Sequence, residues 1–292
     1  MIYLLIVSLI WSFSFGLTGK YLSGIDSIAV ATIRLGIAMA LFTPFLKLSR
    51  INWADRIMLT LNGAVQFGLM YVCYIKAYQF IPSHLVALFS IMTPVYVVLI
   101  ADFGARRFNP SYLFAAMLSV AGAGVIKAGS GTSSEGNIWL GFGLMQVAGL
   151  AFAFGQVYYR RWKKTHQSLC DQDAFALLYL GGFVFALISS TIFVDWKGIS
   201  ITLDQWKVLL YLGAIASGLG FFLWNKSATH ASIGTLGAFN NVVVPLAILV
   251  SLFVFKEAAS TTSEGMIRLM CGSLLIGLAV WLGQRKTGLK GF

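Results

Sequence analysis

The stretch that decides the fold is residues 57–80, IMLTLNGAVQFGLMYVCYIKAYQF. It is almost entirely apolar, and its single charged residue, Lys76, stands close to its end. A helix needs about 20 apolar residues to cross roughly 30 Å of hydrocarbon. We therefore predict that this stretch is a transmembrane helix.

Similar apolar stretches recur along the whole chain of 292 residues, of which 58% are hydrophobic and only 11% are charged. Soluble domains carry about 25% charged residues, so this composition excludes a water-soluble enzyme and a nucleic-acid binder despite a net charge of +11. We predict an all-α integral membrane protein. Its ten transmembrane helices are expected near residues 2–22, 28–48, 57–80, 82–102, 110–128, 138–160, 172–194, 205–229, 232–255 and 264–284.

The basic residues predict the orientation of these helices. With the N-terminus in the cytoplasm, twelve of the 21 Lys and Arg residues fall on the inner side, six on the outer side and three within spans. Cytoplasmic loops carry an excess of Lys and Arg. We therefore expect a multi-pass protein of the bacterial inner membrane with both termini in the cytoplasm.

The two halves of the chain resemble each other. Adding 151 to the positions of Ala77, Leu85, Ala87 and Pro94 gives Ala228, Leu236, Ala238 and Pro245. We predict a first five-helix repeat at 1–128, a connecting loop at 129–137, and a second five-helix repeat at 138–292 that ends in a short cytoplasmic tail. Because five is odd, the second repeat would be inverted, and inverted repeats are typical of secondary transporters that bind substrate at the repeat interface. A membrane scaffold without transport is the alternative.

Two prolines occupy matched positions, Pro94 in the fourth and Pro245 in the ninth predicted helix. Proline removes a backbone hydrogen bond and kinks a helix. The pair predicts either hinges for alternating access or static curvature.

Two cations lie inside predicted spans. Arg34 and Lys76 fall in the same outer half of the bilayer, and no acidic residue shares their depth. Ionisable residues in a membrane are costly and mark functional sites, and a guanidinium suits a carboxylate well. We expect them to meet an anionic substrate, although side chains that reach the outer headgroups would explain them too.

Neutral polar side chains are also expected near the substrate: Gln66, Tyr71, Trp224, Asn225, Asn240 and Asn241. Amides offer both donors and acceptors, so they would suit a ligand with a ureido or amide group. Hydrogen bonding between helices is the plainer explanation.

The sequence shows no catalytic motif such as HExxH or GxSxG, and its three cysteines are scattered. We therefore expect a protein that is not an enzyme and that holds neither a metal nor a cofactor. Its predicted partners are a small-molecule substrate and the lipid bilayer, with no nucleic acid, and its oligomeric state stays open.

These residues resemble the EamA branch of the drug/metabolite transporter superfamily. The resemblance covers nearly the whole chain and includes the run WSFSFG at 11–16, Ile33-Arg34 and Thr93-Pro94. The longer runs GAVQFGLMY at 63–71 and ASGLGFFLWN at 216–225 are similar to members that take up biotin. The resemblance implies a ten-helix importer of biotin, or of another carboxylate. In it, Arg34, with or without Lys76, would meet the carboxylate, and the amides would hold the ureido ring.

Other functions stay open at this point. Export of amino acids or other metabolites is a common EamA activity. A membrane-embedded enzyme would need a cluster of histidine, cysteine or acidic residues at depth, and a structural partner of another complex would show no flux of substrate.

Overall fold

The computed structural model of the chain describes residues 1–22, 24–77, 79–81, 86, 89–128, 137–254 and 263–284. Regular structure in these ranges is entirely helical. The helices are α1 (Ile2–Tyr21), α2 (Ser27–Phe42), α3 (Trp53–Ala77), α4 (Thr93–Ala105), α5 (Pro110–Lys127), α6 (Ile138–Thr165), α7 (Asp171–Phe193), α8 (Leu203–His230), α9 (Ile233–Phe239), α10 (Val243–Phe253) and α11 (Ser263–Gln284). Most of the predicted connecting loop, the C-terminal tail and the start of the predicted fourth helix lie outside the described residues.

Six of these helices are long and apolar enough to cross a membrane, and they are α3, α6, α7, α8, α11 and the stretch Ser27–Phe45 that contains α2. Shorter apolar helical stretches cover Ile2–Thr18, Thr93–Ala105, Pro110–Ile126 and Ile233–Ala247. The prediction of an all-α membrane protein is confirmed. The count of ten spans and the inverted repeat stay predictions.

Small residues let the backbones of α3 and α7 approach closely. A Cβ placed on Gly63 would lie 1.9 Å from the carbonyl oxygen of Leu178, and a Cβ on Gly181 would lie 1.8 Å from that of Thr60. Glycines at such crossings are typical of membrane helix packing, where van der Waals contact replaces the hydrophobic effect. These contacts fix the position of α3 along the axis of α7.

A π-helical segment interrupts both α3 and α8. The two segments are Ala64–Leu69 and Leu212–Leu219. A π turn leaves backbone carbonyls without their usual partners and is frequent at functional sites. The same irregularity therefore occurs at corresponding places in the two halves.

Pro94 and Pro245 follow helix breaks instead of kinking continuous helices. Residues 91–92 form a turn before α4, and residues 240–242 form a turn between α9 and α10. Each proline lies in the first turn of the following helix, where a missing N–H costs little. The predicted continuous helix over 232–255 is therefore wrong, since the chain breaks just before the proline. A hinge at either break stays a prediction.

One end of the bundle is joined by ion pairs between the two halves. The carboxylate of Asp173, only 1% exposed, lies 3.6 Å from Lys47 Nζ and 3.3 Å from Arg50 Nη1. Asp55 accepts a hydrogen bond from Trp162 Nε1 at 2.7 Å and lies 3.1 Å from His166 Nε2. These contacts join two parts of the chain. One part is the start of α3 with the segment before it, and the other is the end of α6 with the start of α7.

Candidate functional site

Arg34 is the buried cation of the described bundle. It lies in the middle of α2 and is only 6% exposed. Its Nε donates a hydrogen bond to Ser217 Oγ at 3.1 Å, and its guanidinium carbon lies 5.1 Å from the ring centroid of Tyr71. The ion pairs among the described residues involve other cations and leave Arg34 without an acidic partner. Burial of a charge without a counter-ion is costly.

Ser217, in the π segment of α8, connects Arg34 to tyrosines of α3 and α7. The hydroxyl oxygens of Tyr71 and Ser217 lie 3.1 Å apart. Tyr179 donates to the carbonyl oxygen of Ser217 at 3.0 Å and also contacts that of Gly218. Tyr71 of α3 therefore contacts the hydroxyl of Ser217, while Tyr179 of α7 binds backbone carbonyls of the same π segment. The network holds Ser217 against Arg34.

An aromatic cluster lies beside this network. Trp11 stacks on Trp224 with ring centroids 4.9 Å apart, and Phe221 contacts Trp11 edge-on at 5.5 Å and Tyr71 at 5.7 Å. Trp11 Nε1 donates to the carbonyl oxygen of Ala216 at 2.9 Å, again in the π segment. The arrangement offers flat apolar faces next to a cation.

Two buried amides meet across the halves. Gln66, in the π segment of α3, donates from Nε2 to Asn225 Oδ1 at 3.0 Å, and Asn225 Nδ2 donates to the carbonyl oxygen of Phe221 at 3.0 Å. Gln66 Oε1 is buried and has no hydrogen-bond partner among the described residues. Trp224 Nε1 donates to Gln156 Oε1 at 2.9 Å. Buried polar atoms are normally bonded, so Gln66 Oε1 has an unused capacity to accept a hydrogen bond.

The structure places Lys76 apart from this group. Its ammonium lies 4.3 Å from the ring centroid of Phe193, a residue that is 58% exposed. Arg34 and Lys76 have no described contact in common. The location near an exposed aromatic ring fits a side chain that reaches toward the membrane surface.

The side chains of Asn240 and Asn241 donate hydrogen bonds to backbone carbonyls near the helix breaks. Asn241 Nδ2 donates to the carbonyl oxygen of Ile91 at 3.0 Å, which joins the turn before α10 to the turn before α4. Asn240 Nδ2 donates to the carbonyl oxygen of Leu236 at 2.8 Å. A Cβ on Gly237 would lie 3.2 Å from the carbonyl oxygen of Pro94. The two broken regions therefore meet, and the asparagines bind carbonyls that the breaks expose.

Of the predicted site residues, the structure brings together Arg34, Tyr71, Gln66, Trp224 and Asn225 through one continuous set of aromatic and hydrogen-bonded contacts. Trp11, Tyr179 and Ser217 also belong to this group, and sequence reasoning did not identify them. Trp11 stood in the run that carries the family resemblance, and Tyr179 is the only tyrosine of α7. Ser217 likewise stood in the run at 216–225 that carries the resemblance.

A membrane bundle of helices that buries a lone cation among polar and aromatic groups is typical of solute transporters. A model of the EamA-like transporter family matches residues 1–128. The biotin transporter of Salmonella typhimurium is 35% identical over 97% of this chain and 92% of its own length. The biotin transporter of Escherichia coli K12 is 34% identical over 97% of this chain and 92% of its own length. The probable biotin transporter of Pseudomonas aeruginosa is 36% identical over 98% of this chain and 99% of its own length.

This chain belongs to the EamA-like transporter family. One chain of known crystal structure superposes with a TM-score of 0.77 over 98% of both chains at 16% identity, which supports the fold alone. The identification as a family of membrane transporters agrees with the apolar helices described above.

Proposed function

We propose that this protein takes up biotin across the bacterial inner membrane by alternating access, as a ten-helix transporter with two inverted repeats. The observation that carries the proposal is the burial of Arg34 without an acidic partner in the described part of the chain. The names of the relatives, two biotin transporters and one probable biotin transporter, support this substrate.

The carboxylate of biotin would complete the coordination of Arg34. A guanidinium has five N–H donors, and the described hydrogen bond to Ser217 Oγ uses only one of them. Nη1 and Nη2 could therefore bind a carboxylate in a bidentate pair. The cation whose burial without a counter-ion is costly would then contribute to affinity.

The ureido head of biotin matches the amide pair. Its N–H groups can donate to Gln66 Oε1, the buried acceptor described above. The apolar ring system would lie against the faces of Trp11, Phe221 and Trp224. In this arrangement the ligand extends from the amides along the aromatic cluster to Arg34.

The burial of these groups supports the proposal of alternating access. Because Arg34 is 6% exposed, the contacts around it must open before a ligand enters. The helix breaks before Pro94 and Pro245 would absorb this motion, since discontinuous helices near the repeat interface are a recurrent feature of transporters. Lys76, Asn240 and Asn241 contact other groups, so a substrate role for them stays a prediction of the sequence.

Uptake of labelled biotin by a bacterial strain without its own transporter tests the proposal. We expect Arg34→Ala to abolish uptake, since it removes the cation that binds the carboxylate. Arg268→Ala is the matched control, because Arg268 is paired with Glu264 on the surface of α11, and it should transport like the wild type. Undiminished uptake by a well-expressed Arg34→Ala variant would refute the role of Arg34. Resistance to a toxic amino acid without any biotin uptake would favour export instead.

A further inference from the structure

A cavity lies at the end of α6, and Arg34 is not among the residues that line it. Its volume is about 230 Å³. Residues from α4, α5, α6 and the start of α9 line it, and they include Ala101, Arg160, Arg161 and Lys164.

The lining of this cavity carries three positive charges and no Asp or Glu. Arg160 donates to the carbonyl oxygens of Ala228 and Ala231. Arg161 Nη2 donates to the carbonyl oxygen of Ala101 at 2.7 Å. Neutral carbonyls therefore hold both guanidiniums in place, and their remaining N–H donors are available to an anion.

The length of α6 places the cavity at the membrane surface. At a rise of 1.5 Å per residue, Arg160 lies about 32 Å along the helix from Trp139. Trp139, near the other end of α6, is 82% exposed, and exposed tryptophans are typical of the membrane interface. Because the hydrocarbon core is about 30 Å thick, the three cations lie at the level of the lipid headgroups on the opposite side.

We propose that this cavity binds a phosphate group. Phosphate is the anion that paired arginines recognise through several N–H donors at once, and basic pockets between transmembrane helices bind lipid headgroups. The phosphate can come from an anionic phospholipid or from free inorganic phosphate. The two sources differ in whether acyl chains contribute to binding.

Thermal unfolding of the purified full-length protein in detergent separates these sources with three additives. Dioleoyl-phosphatidylglycerol carries phosphate and chains, dioleoylglycerol carries chains alone, and inorganic phosphate carries no chains. A rise in Tm with phosphatidylglycerol alone assigns the site to a lipid headgroup. A rise with both phosphatidylglycerol and inorganic phosphate assigns it to the free anion. Equal rises with the two lipids, or no rise at all, would overturn the proposal.

Charge-removing variants tie the effect to this cavity. We expect Arg161→Gln and Lys164→Gln each to need about five-fold more phosphatidylglycerol for the same rise in Tm. Lys207→Gln is the control, because Lys207 is an exposed cation on α8 outside the cavity lining, and it should respond like the wild type. If Arg161→Gln does not fold, Lys164→Gln carries the test alone. Variants that respond like the wild type would also contradict the proposal.

Discussion

The crossing of α3 and α7 gives the sharpest prediction about how the site is built. Gly181→Ala would place a Cβ 1.8 Å from the carbonyl oxygen of Thr60, 2.7 Å from its carbonyl carbon and 2.9 Å from the backbone nitrogen of Ala64. All three atoms belong to the backbone, so no side-chain rotation relieves the contact. Since a carbon and a carbonyl oxygen approach to about 3.3 Å, the helices must move apart by about 1.5 Å.

This displacement has an expected cost. Overpacking of a close-packed interior destabilises by about 1–3 kcal/mol, which corresponds to a fall in Tm of about 2–5 °C for a chain of this size. The crossing also positions Gln66, because a Cβ on Gly182 would meet Phe67 Cβ at 2.9 Å in the same π segment. We therefore expect Gly181→Ala to lower biotin uptake as well as stability.

Thermal unfolding of the purified protein in detergent, followed by intrinsic fluorescence, measures the effect. Gly124→Ala and Gly277→Ala are matched controls, because a Cβ at either position meets nothing within 4 Å. Alanine favours a helix over glycine by about 0.5–1 kcal/mol, so the controls should unfold at or above the wild-type temperature. If Gly181→Ala unfolds at the same temperature as these controls, the close approach of α3 and α7 is wrong.

Two further changes test other contacts. Asp173→Asn removes a buried carboxylate that two exposed cations face at 3.3 and 3.6 Å. It should lower the Tm, whereas Asp204→Asn on the surface should not, and an equal Tm for both variants would contradict the contact. Tyr71→Phe keeps the ring near Arg34 but removes the hydroxyl that faces Ser217. It should weaken biotin uptake about five-fold in KM, since a hydrogen bond contributes about 1 kcal/mol, and an unchanged KM would refute that role.

The hydropathy of the chain was sufficient to predict the helical membrane fold. Each long apolar stretch must satisfy its own backbone hydrogen bonds in lipid, and a helix does so without help from neighbours. For Arg34 the sequence left two alternatives, because a cation in mid-span can only turn inward or reach the surface. The structure places it inward, at 6% exposure.

The irregular parts of the helices were not predictable from local sequence. The π segments in α3 and α8 contain ordinary helix formers beside glycines. In the α8 segment, backbone carbonyls accept hydrogen bonds from Trp11 and Tyr179, which lie in distant parts of the chain. The break before α10 depends on Asn241, which binds a carbonyl 150 residues earlier. Such long-range hydrogen bonds override helix propensity, and they leave no periodic pattern in the amino-acid sequence.

The separation of Arg34 from Lys76 was also not predictable from the sequence. Arg34 and Lys76 lie at similar depths in their helices, which predicted that both cations would meet one ligand. The direction in which each side chain of α3 points about the helix axis was unknown. The structure directs Tyr71 toward Arg34 and Lys76 toward Phe193. Residues five apart on a helix differ by about 140° in direction, so similar depth does not imply a shared site.

Recognition of the biotin carboxylate by Arg34 is the central claim, and a comparison of biotin with its neutral amide tests it most directly. Inhibition of labelled-biotin uptake by each compound is measured for the wild type and for Arg34→Lys, which keeps a positive charge but loses the bidentate geometry. The wild type should bind biotin at least about ten-fold more tightly than the amide, because a buried cation favours the anionic ligand. Arg34→Lys should lose most of this preference. Equal inhibition of the wild type by both compounds, or an unchanged preference in Arg34→Lys, would contradict the account.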